Sequence, residues 1–312
     1  MELLDFLRST FGKDALIEEL ESGFYSKVML VSHGDKAVVK LFKDREGMRL
    51  SVDSATILGR RIKTYHGLLR DRGIVVPERL DWVIEIDSVT NRPHLILFQP
   101  YCGVSAGRIL LQGDVVTCRK VTVGILNTLE PLFATLNELE DLGIDAKADN
   151  FTTLGGPYTF VDLIPPRYSE NGNFLIEYPE PKTEVGRSLG RWRYYSREGV
   201  LTVLLTQLAR IQSKLLWEFV EVIEEWLSSR CYQKEVDYLQ QSTHEISSSL
   251  IENSKNPVKL RLFMCALASR NGTSQTEVDN FFRLTHFEDV LSDKVINKAQ
   301  QQLISLCTKI VH

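Results

Sequence analysis

Hydrophobic positions change period several times along the chain, and each change marks an element. Residues 1–19 set apolar against charged side chains at helical spacing, which predicts a helix that breaks near Ser22 and Gly23. From Lys27 the period shortens to that of a strand. Val28–Ser32 and Ala37–Phe42 are short apolar runs separated by His33-Gly34-Asp35-Lys36, a hairpin signature. Residues 53–72 return to helical spacing through Ala55, Ile57, Leu58, Ile62, Tyr65, Leu68 and Leu69, with Gly73 and Pro77 as the stop. Two more strand-like runs follow, Leu80–Ile86 and His94–Gln99, the second closed by Pro100.

Beyond this point helical spacing dominates. Residues 104–111 and 121–142 are expected to be helices, the second ending at Gly143, and Tyr158–Val161 a short strand. Residues 165–192, rich in Pro, Gly, Asn and Tyr, predict a long irregular segment of the kind that forms lids or binding loops. Leu201, Leu204, Leu205, Leu208, Ile211, Leu215, Phe219, Val222, Ile223 and Trp226 predict one long core-facing helix. Ser274-Gln275-Thr276-Glu277 has the form of a capping box opening a later one. This order divides the chain into a β-rich part with a helix, residues 1–100, and a mainly helical part, residues 101–312, which is the α+β class.

Composition narrows the classes. The chain has 312 residues, 43% hydrophobic and 25% charged, which is globular and long enough for two lobes. Lys plus Arg number 37 against 41 Asp plus Glu, so no basic excess points to nucleic acid as a partner. Cys102, Cys118, Cys231, Cys265 and Cys307 are scattered without a CxxC pair, and the histidines form no HExxH, so neither a disulfide framework nor a zinc site is signalled. The start carries no basic, then apolar, secretory signal, and no apolar run reaches the roughly 18–20 residues of a membrane span. The expectation is a cytoplasmic protein without a membrane partner; the oligomeric state is open.

Candidate chemistry lies in Gly-Ile-Asp-Ala-Lys-Ala-Asp-Asn, where Asp145, Lys147 and Asn150 spell D-x-K-x-x-N. Asp162 follows at the end of Tyr-Thr-Phe-Val. As a bare pattern this is also what a polar surface turn looks like, and chance supplies it on the order of a few per cent of the time in a chain this long. Its place, after a helix and before a short strand ending in a carboxylate, says more. The segment resembles the catalytic segment of the protein-kinase-like superfamily, which includes protein kinases and aminoglycoside-type phosphotransferases. That resemblance implies that Asp145 orients an acceptor hydroxyl, that Asn150 and Asp162 hold Mg²⁺, and that Lys147 neutralises charge on the γ-phosphoryl group.

The N-terminal part extends the resemblance to about residues 15–230. Leu20–Val28, with Gly23 and Ser26, is similar to a reduced phosphate-covering loop. Val38-Val39-Lys40 resembles the superfamily's V-A-I-K strand, which implies that Lys40 reaches the ATP phosphates, although a lone strand lysine is more commonly an exposed one. Leu95–Tyr101 resembles the strand and hinge that pair with adenine, here through backbone groups at Gln99 and Tyr101. A bilobal kinase-like fold, ATP and Mg²⁺ as cofactors, and a small-molecule hydroxyl acceptor follow as implications. Arg167, Tyr168, Tyr178, Arg187, Arg191, Trp192 and Arg193 are the expected pocket-lining candidates.

The departures are specific. No histidine precedes Asp145, and Leu163-Ile164-Pro165-Pro166-Arg167 follows Asp162, so the D-F-G glycine is absent. Helix 53–72 offers Arg60, Arg61 and Lys63 where a lysine-pairing glutamate belongs, with Glu46 and Asp53 nearby. A glycine-poor loop and the lack of an A-P-E motif favour the aminoglycoside-type branch over a protein-substrate kinase. The missing helix glutamate favours a third possibility, a pseudokinase or nucleotide-binding scaffold that transfers nothing.

Overall fold

The computed structural model describes residues 3–20, 26–42, 50–87, 90–136, 142–164, 169–170, 173–174, 184–244, 246–271, 273–286 and 291–311. The chain is α+β, as expected, with a β-rich N-terminal part and a helical remainder. It forms two compact units: residues 1–103 with 159–179, and residues 104–158 with 180–312.

The first unit is built on α1 (Leu3–Phe11), β1 (Leu16–Glu19), β2 (Ser26–His33), β3 (Asp35–Phe42), α2 (Val52–Asp71), β4 (Asp81–Ile86) and β5 (Pro93–Pro100). The strands make one antiparallel sheet in the order β1-β2-β3-β5-β4. Gly34, at φ +74°, turns β2 into β3 with His33 opposite Asp35, a conformation that a side chain would strain. The predicted helix over 1–19 is shorter than its apolar pattern. Gly12 takes φ +109° and ends α1, while residues 16–19 pair as an edge strand with β2. Ala15 is buried, and Ile17 packs, in one cluster with Leu7, Met29, Val31, Val39 and Ile96. That cluster covers one face of the sheet.

Strand alternation sends Lys40, Leu97 and Trp82, which lie opposite one another, to the other face. There α2 packs through Ala55, Leu58, Ile62, Tyr65 and Leu69, each leucine or isoleucine contributing roughly 1.5–3 kcal/mol when fully buried. Contact is closest at Gly59, where a Cβ would come within 2.5 Å of the Trp82 ring. Lys40 therefore shares its side of the sheet with α2.

The second unit opens with β6 (Val104–Ser105), α3 (Ala106–Gln112) and α4 (Val115–Phe133). The helix expected at 121–142 starts earlier because the Asp114 side chain caps it, accepting from Thr117 N at 2.8 Å, and it ends at Phe133. After a single 3₁₀ turn over Ala148–Asn150, β7 (Phe151–Thr153) pairs with β6. The short β8 (Thr159–Phe160) returns to the first unit, with Phe160 N donating to Val75 O at 2.8 Å.

The irregular segment predicted for 165–192 gives way to α5 (Glu184–Tyr195) in its second half. The single long helix expected from 201 to 226 is two, α6 (Arg197–Ile211) and α7 (Leu216–Ser228). Between them Gln212 leaves helical geometry at φ −136°, ψ 71°, and its Nε2 donates to Leu110 O at 2.9 Å. α6 is buried on nearly every side, and α8 (Gln233–His244), α9 (Ser248–Asn253), α10 (Pro257–Asn271), α11 (Gln275–Leu284) and α12 (Asp293–Val311) complete the unit. The Ser274–Glu277 capping box forms at the start of α11. Among the described residues no helix is long and apolar enough to cross a membrane.

Candidate functional site

Lys40 is not the exposed strand lysine that residue type alone favours. It is only 8% exposed, and its Nζ donates to Val161 O at 2.6 Å, joining β3 to the residue before Asp162. Burial lowers its pKa, and the negative charge of Asp162 pushes the other way without cancelling the effect. Among the described residues no helix glutamate meets Lys40. The sheet-facing side of α2 is apolar, its two acids Asp53 and Asp71 are exposed, and Lys63 Nζ stands 3.6 Å from Asp81. Lys40 is thus met by a main-chain carbonyl and the field of Asp162 rather than by a helix glutamate.

The neighbouring strand end is partly committed. Tyr101 N donates to Lys36 O at 3.1 Å, so this N–H is already spent within the unit. Gln99 is buried on β5 opposite Val38, and its Oε1 accepts no hydrogen bond. Cys102 is half-buried, with its thiol pKa raised by burial and held back by the charge of Lys40. Ser26 is buried at the start of β2, opposite Phe42. Gly23, Glu46, Arg167, Tyr168 and Tyr178 lie outside the described residues, as does the side chain of Arg187.

In the second unit the D-x-K-x-x-N residues come together in one tight loop. Asp145 is 8% exposed, and its Oδ2 accepts from Lys147 Nζ at 2.7 Å. Asn150 Nδ2 donates to Asp145 O at 2.9 Å, while Lys147 N donates to the same carbonyl at 2.9 Å. Only the amide nitrogen can donate to a carbonyl, so this bond fixes the Asn150 amide with its nitrogen toward Asp145 O. Asp149 packs against Gly107 of α3, where a Cβ would collide with its carboxylate. The loop is therefore seated directly on that helix.

One contact has no counterpart among the motif residues. Arg193 of α5, 5% exposed, places Nη2 3.7 Å from Asp145 Oδ1. Residue type and position put Arg193 among several pocket-lining candidates; nothing in the spacing pointed at Asp145. Of its neighbours, Arg191 is exposed and Trp192 lies under Lys259 Nζ, 5.9 Å from the ring centroid. Among the described residues no cluster of three or more His, Cys, Asp or Glu is gathered for a metal ion.

Comparison with known proteins adds little to this geometry. No protein-family model matches the chain, and no curated protein does. Among solved structures it is similar to a MAP kinase from Leishmania major, at 10% identity and a TM-score of 0.35, over 99% of this chain and 98% of that one. A likeness of that size assigns no role to any residue here.

Proposed function

We propose that the chain is an ATP-dependent phosphotransferase of the protein-kinase-like class, acting on a hydroxyl group of a small molecule. One observation carries the reading: Lys40 Nζ bonds the carbonyl beside Asp162, across 121 residues of sequence. Two short motifs matched by coincidence give no reason for a strand lysine to be buried against the residue preceding the second carboxylate.

The donor groups fit the implied cofactors. Mg²⁺ takes hard oxygen ligands, keeps several waters and relies on substrate phosphates, so it needs only a carboxylate and an amide oxygen from protein. Asp162 and Asn150 Oδ1 are of that kind, and Lys40 is a point charge suited to the α/β-phosphates. When bound, Mg²⁺-ATP supplies the γ-phosphoryl group and screens its charge. Asp145 then orients the acceptor hydroxyl and receives its proton as the new O–P bond forms and the bond to ADP breaks. Lys147, already on Asp145 Oδ2, places positive charge next to the transferring group. Positioning and electrostatics supply most of the rate in such a reaction.

A scaffold that binds nucleotide without transfer is the second reading, favoured by the absence of a glutamate from α2. The deciding experiment measures ATP consumption with Mg²⁺ against pooled hydroxyl metabolites, for wild type and Asp162→Asn. Wild type should turn over, and the variant should lose Mg²⁺-dependent turnover while remaining folded. Full turnover by Asp162→Asn removes Asp162 from the metal site. A wild type that binds ATP by calorimetry and never transfers phosphate makes the scaffold the better description.

A further inference from the structure

We propose that Arg193 is a positioning residue, clamping the Oδ1 side of Asp145 so that α5 sets the aim of the reacting carboxylate. The inference rests on the phosphotransferase reading for its purpose, but its physical content stands on the loop and α5 alone.

A carboxylate and a guanidinium buried in one place must compensate each other, because either left alone keeps its desolvation cost without the Coulombic return. Asp145 is 8% and Arg193 5% exposed, with Nη2 and Oδ1 3.7 Å apart. Lys147 serves the other oxygen, Oδ2, but its side chain is 38% exposed, so solvent screens that pair more strongly. The two segments are also joined by main chain, as Ile144 N donates to Tyr194 O at 3.0 Å. At Gly143 a Cβ would come 2.9 Å from Tyr195 Cζ and 3.0 Å from Tyr194 O, so the loop lies directly against the end of α5. The guanidinium itself sits 4.7 Å from the Tyr194 ring centroid, which restrains its plane.

The division of labour between the two oxygens gives the clamp its meaning. Oδ2 takes the hydrogen bond from Lys147, whereas Oδ1 accepts none and feels Arg193 through charge at a distance. That arrangement fixes the carboxylate rotamer from its covered side, since Oδ1 is itself buried. The accessible remainder of the side chain, not Oδ1, is then what an acceptor hydroxyl meets. Sub-ångström aim of this sort matters, since a displacement of about 1 Å can cost about 10²-fold in rate.

The test is a double-mutant cycle with Arg193→Met, Asp145→Asn and both together, plus Arg193→Lys. Arg193→Met should lower the unfolding temperature by about 5–10 °C, and Asp145→Asn in the same chain should recover part of that loss. In folded protein, Arg193→Met should cut kcat by about 10–100-fold with KM for ATP within about twofold, and Arg193→Lys should lie between it and wild type. Additive effects on unfolding, or an Arg193→Met variant with wild-type kcat, overturn the clamp. Should Arg193→Met alone fail to fold, a double variant that folds supports the clamp and one that does not overturns it. A wild type without transfer activity defeats the phosphotransferase reading instead, and leaves the unfolding cycle to decide whether the ion pair exists.

Discussion

Lys40 in the first unit and Asp145 in the second are both more than nine-tenths buried, yet their charges are met in different ways. Asp145 has a cation at each oxygen, Lys147 at 2.7 Å and Arg193 at 3.7 Å, with Asn150 and Lys147 N bracing its carbonyl. Among the described residues Lys40 has a neutral carbonyl at 2.6 Å and the fields of Asp162 and Cys102, which do not outweigh the cost of burial. The carboxylate is compensated in the free protein; the lysine is left short of negative charge. On the proposed function this contrast has a use. A group that must hold its aim through the reaction is braced in advance, and a group that must welcome phosphates keeps its charge unspent.

The contrast can be broken most severely at Asp145. Asp145→Asn keeps the side-chain shape and the two carbonyl bonds while removing the charge that Lys147 and Arg193 face. Turnover with a found acceptor should fall by roughly 10²–10⁴, the usual worth of a positioned acid–base group. ATP affinity measured by calorimetry should remain within a few-fold of wild type, since Asp145 is not assigned to the nucleotide. Full turnover by the variant would end the catalytic assignment.

Lys40→Ala should do the opposite kind of damage. It removes the one buried cation assigned to the phosphates, so ATP affinity should drop and turnover should fall on the order of 10²–10³. Direct titration of wild type and variant with Mg²⁺-ATP separates the two half-sites. If Lys40→Ala binds nucleotide as well as wild type does, the buried lysine is a structural tie between β3 and Val161 and nothing more.

Where the sequence pattern was legible, local periodicity agreed with tertiary packing. The β2–β3 hairpin and α2 follow from alternation, Gly34 and a helical stripe, and all sit close to their expected bounds. D-x-K-x-x-N was legible as a loop because its bonds close over a few residues, Lys147 to the Asp145 carboxylate and Asn150 to the Asp145 main-chain carbonyl. Other features carried no such signal. α5 follows a stretch rich in Pro, Gly, Asn and Tyr, and its own apolar spacing, Val185, Leu189 and Trp192, is short and interrupted by Gly186 and Gly190. The break at Gln212 has neither Gly nor Pro, and what accompanies it is a side-chain bond to Leu110 O, 102 residues away in sequence. The early start of α4 was readable in Asp114 and Thr117 as an N-cap. Arg193 belongs to the illegible kind: its burial against Asp145 is set by how α5 meets the loop, which no spacing encodes.

The smallest effect expected is also the most direct measure of how poorly Lys40 is compensated. Its folded pKa lies below the ordinary lysine value because desolvation outweighs Asp162. Below the folded value both states carry the proton, and above the ordinary value neither does, so Lys40 contributes no slope in either range. Between them the unfolded chain holds the proton and the folded chain does not, so stability rises with pH, by at most about 1.4 kcal/mol per unit. Cys102 opposes this, since its raised pKa makes the folded state keep a proton the unfolded chain has lost. The comparison is therefore best made in a Cys102→Ser background, by denaturant unfolding at a series of alkaline pH values. Lys40→Met in that background should flatten the rise, and addition of Mg²⁺-ATP to the Lys40 protein should shift it to higher pH, because phosphate charge favours the ammonium. Equal slopes with and without Lys40 would mean that its charge is already met in the free protein, and the contrast with Asp145 would disappear.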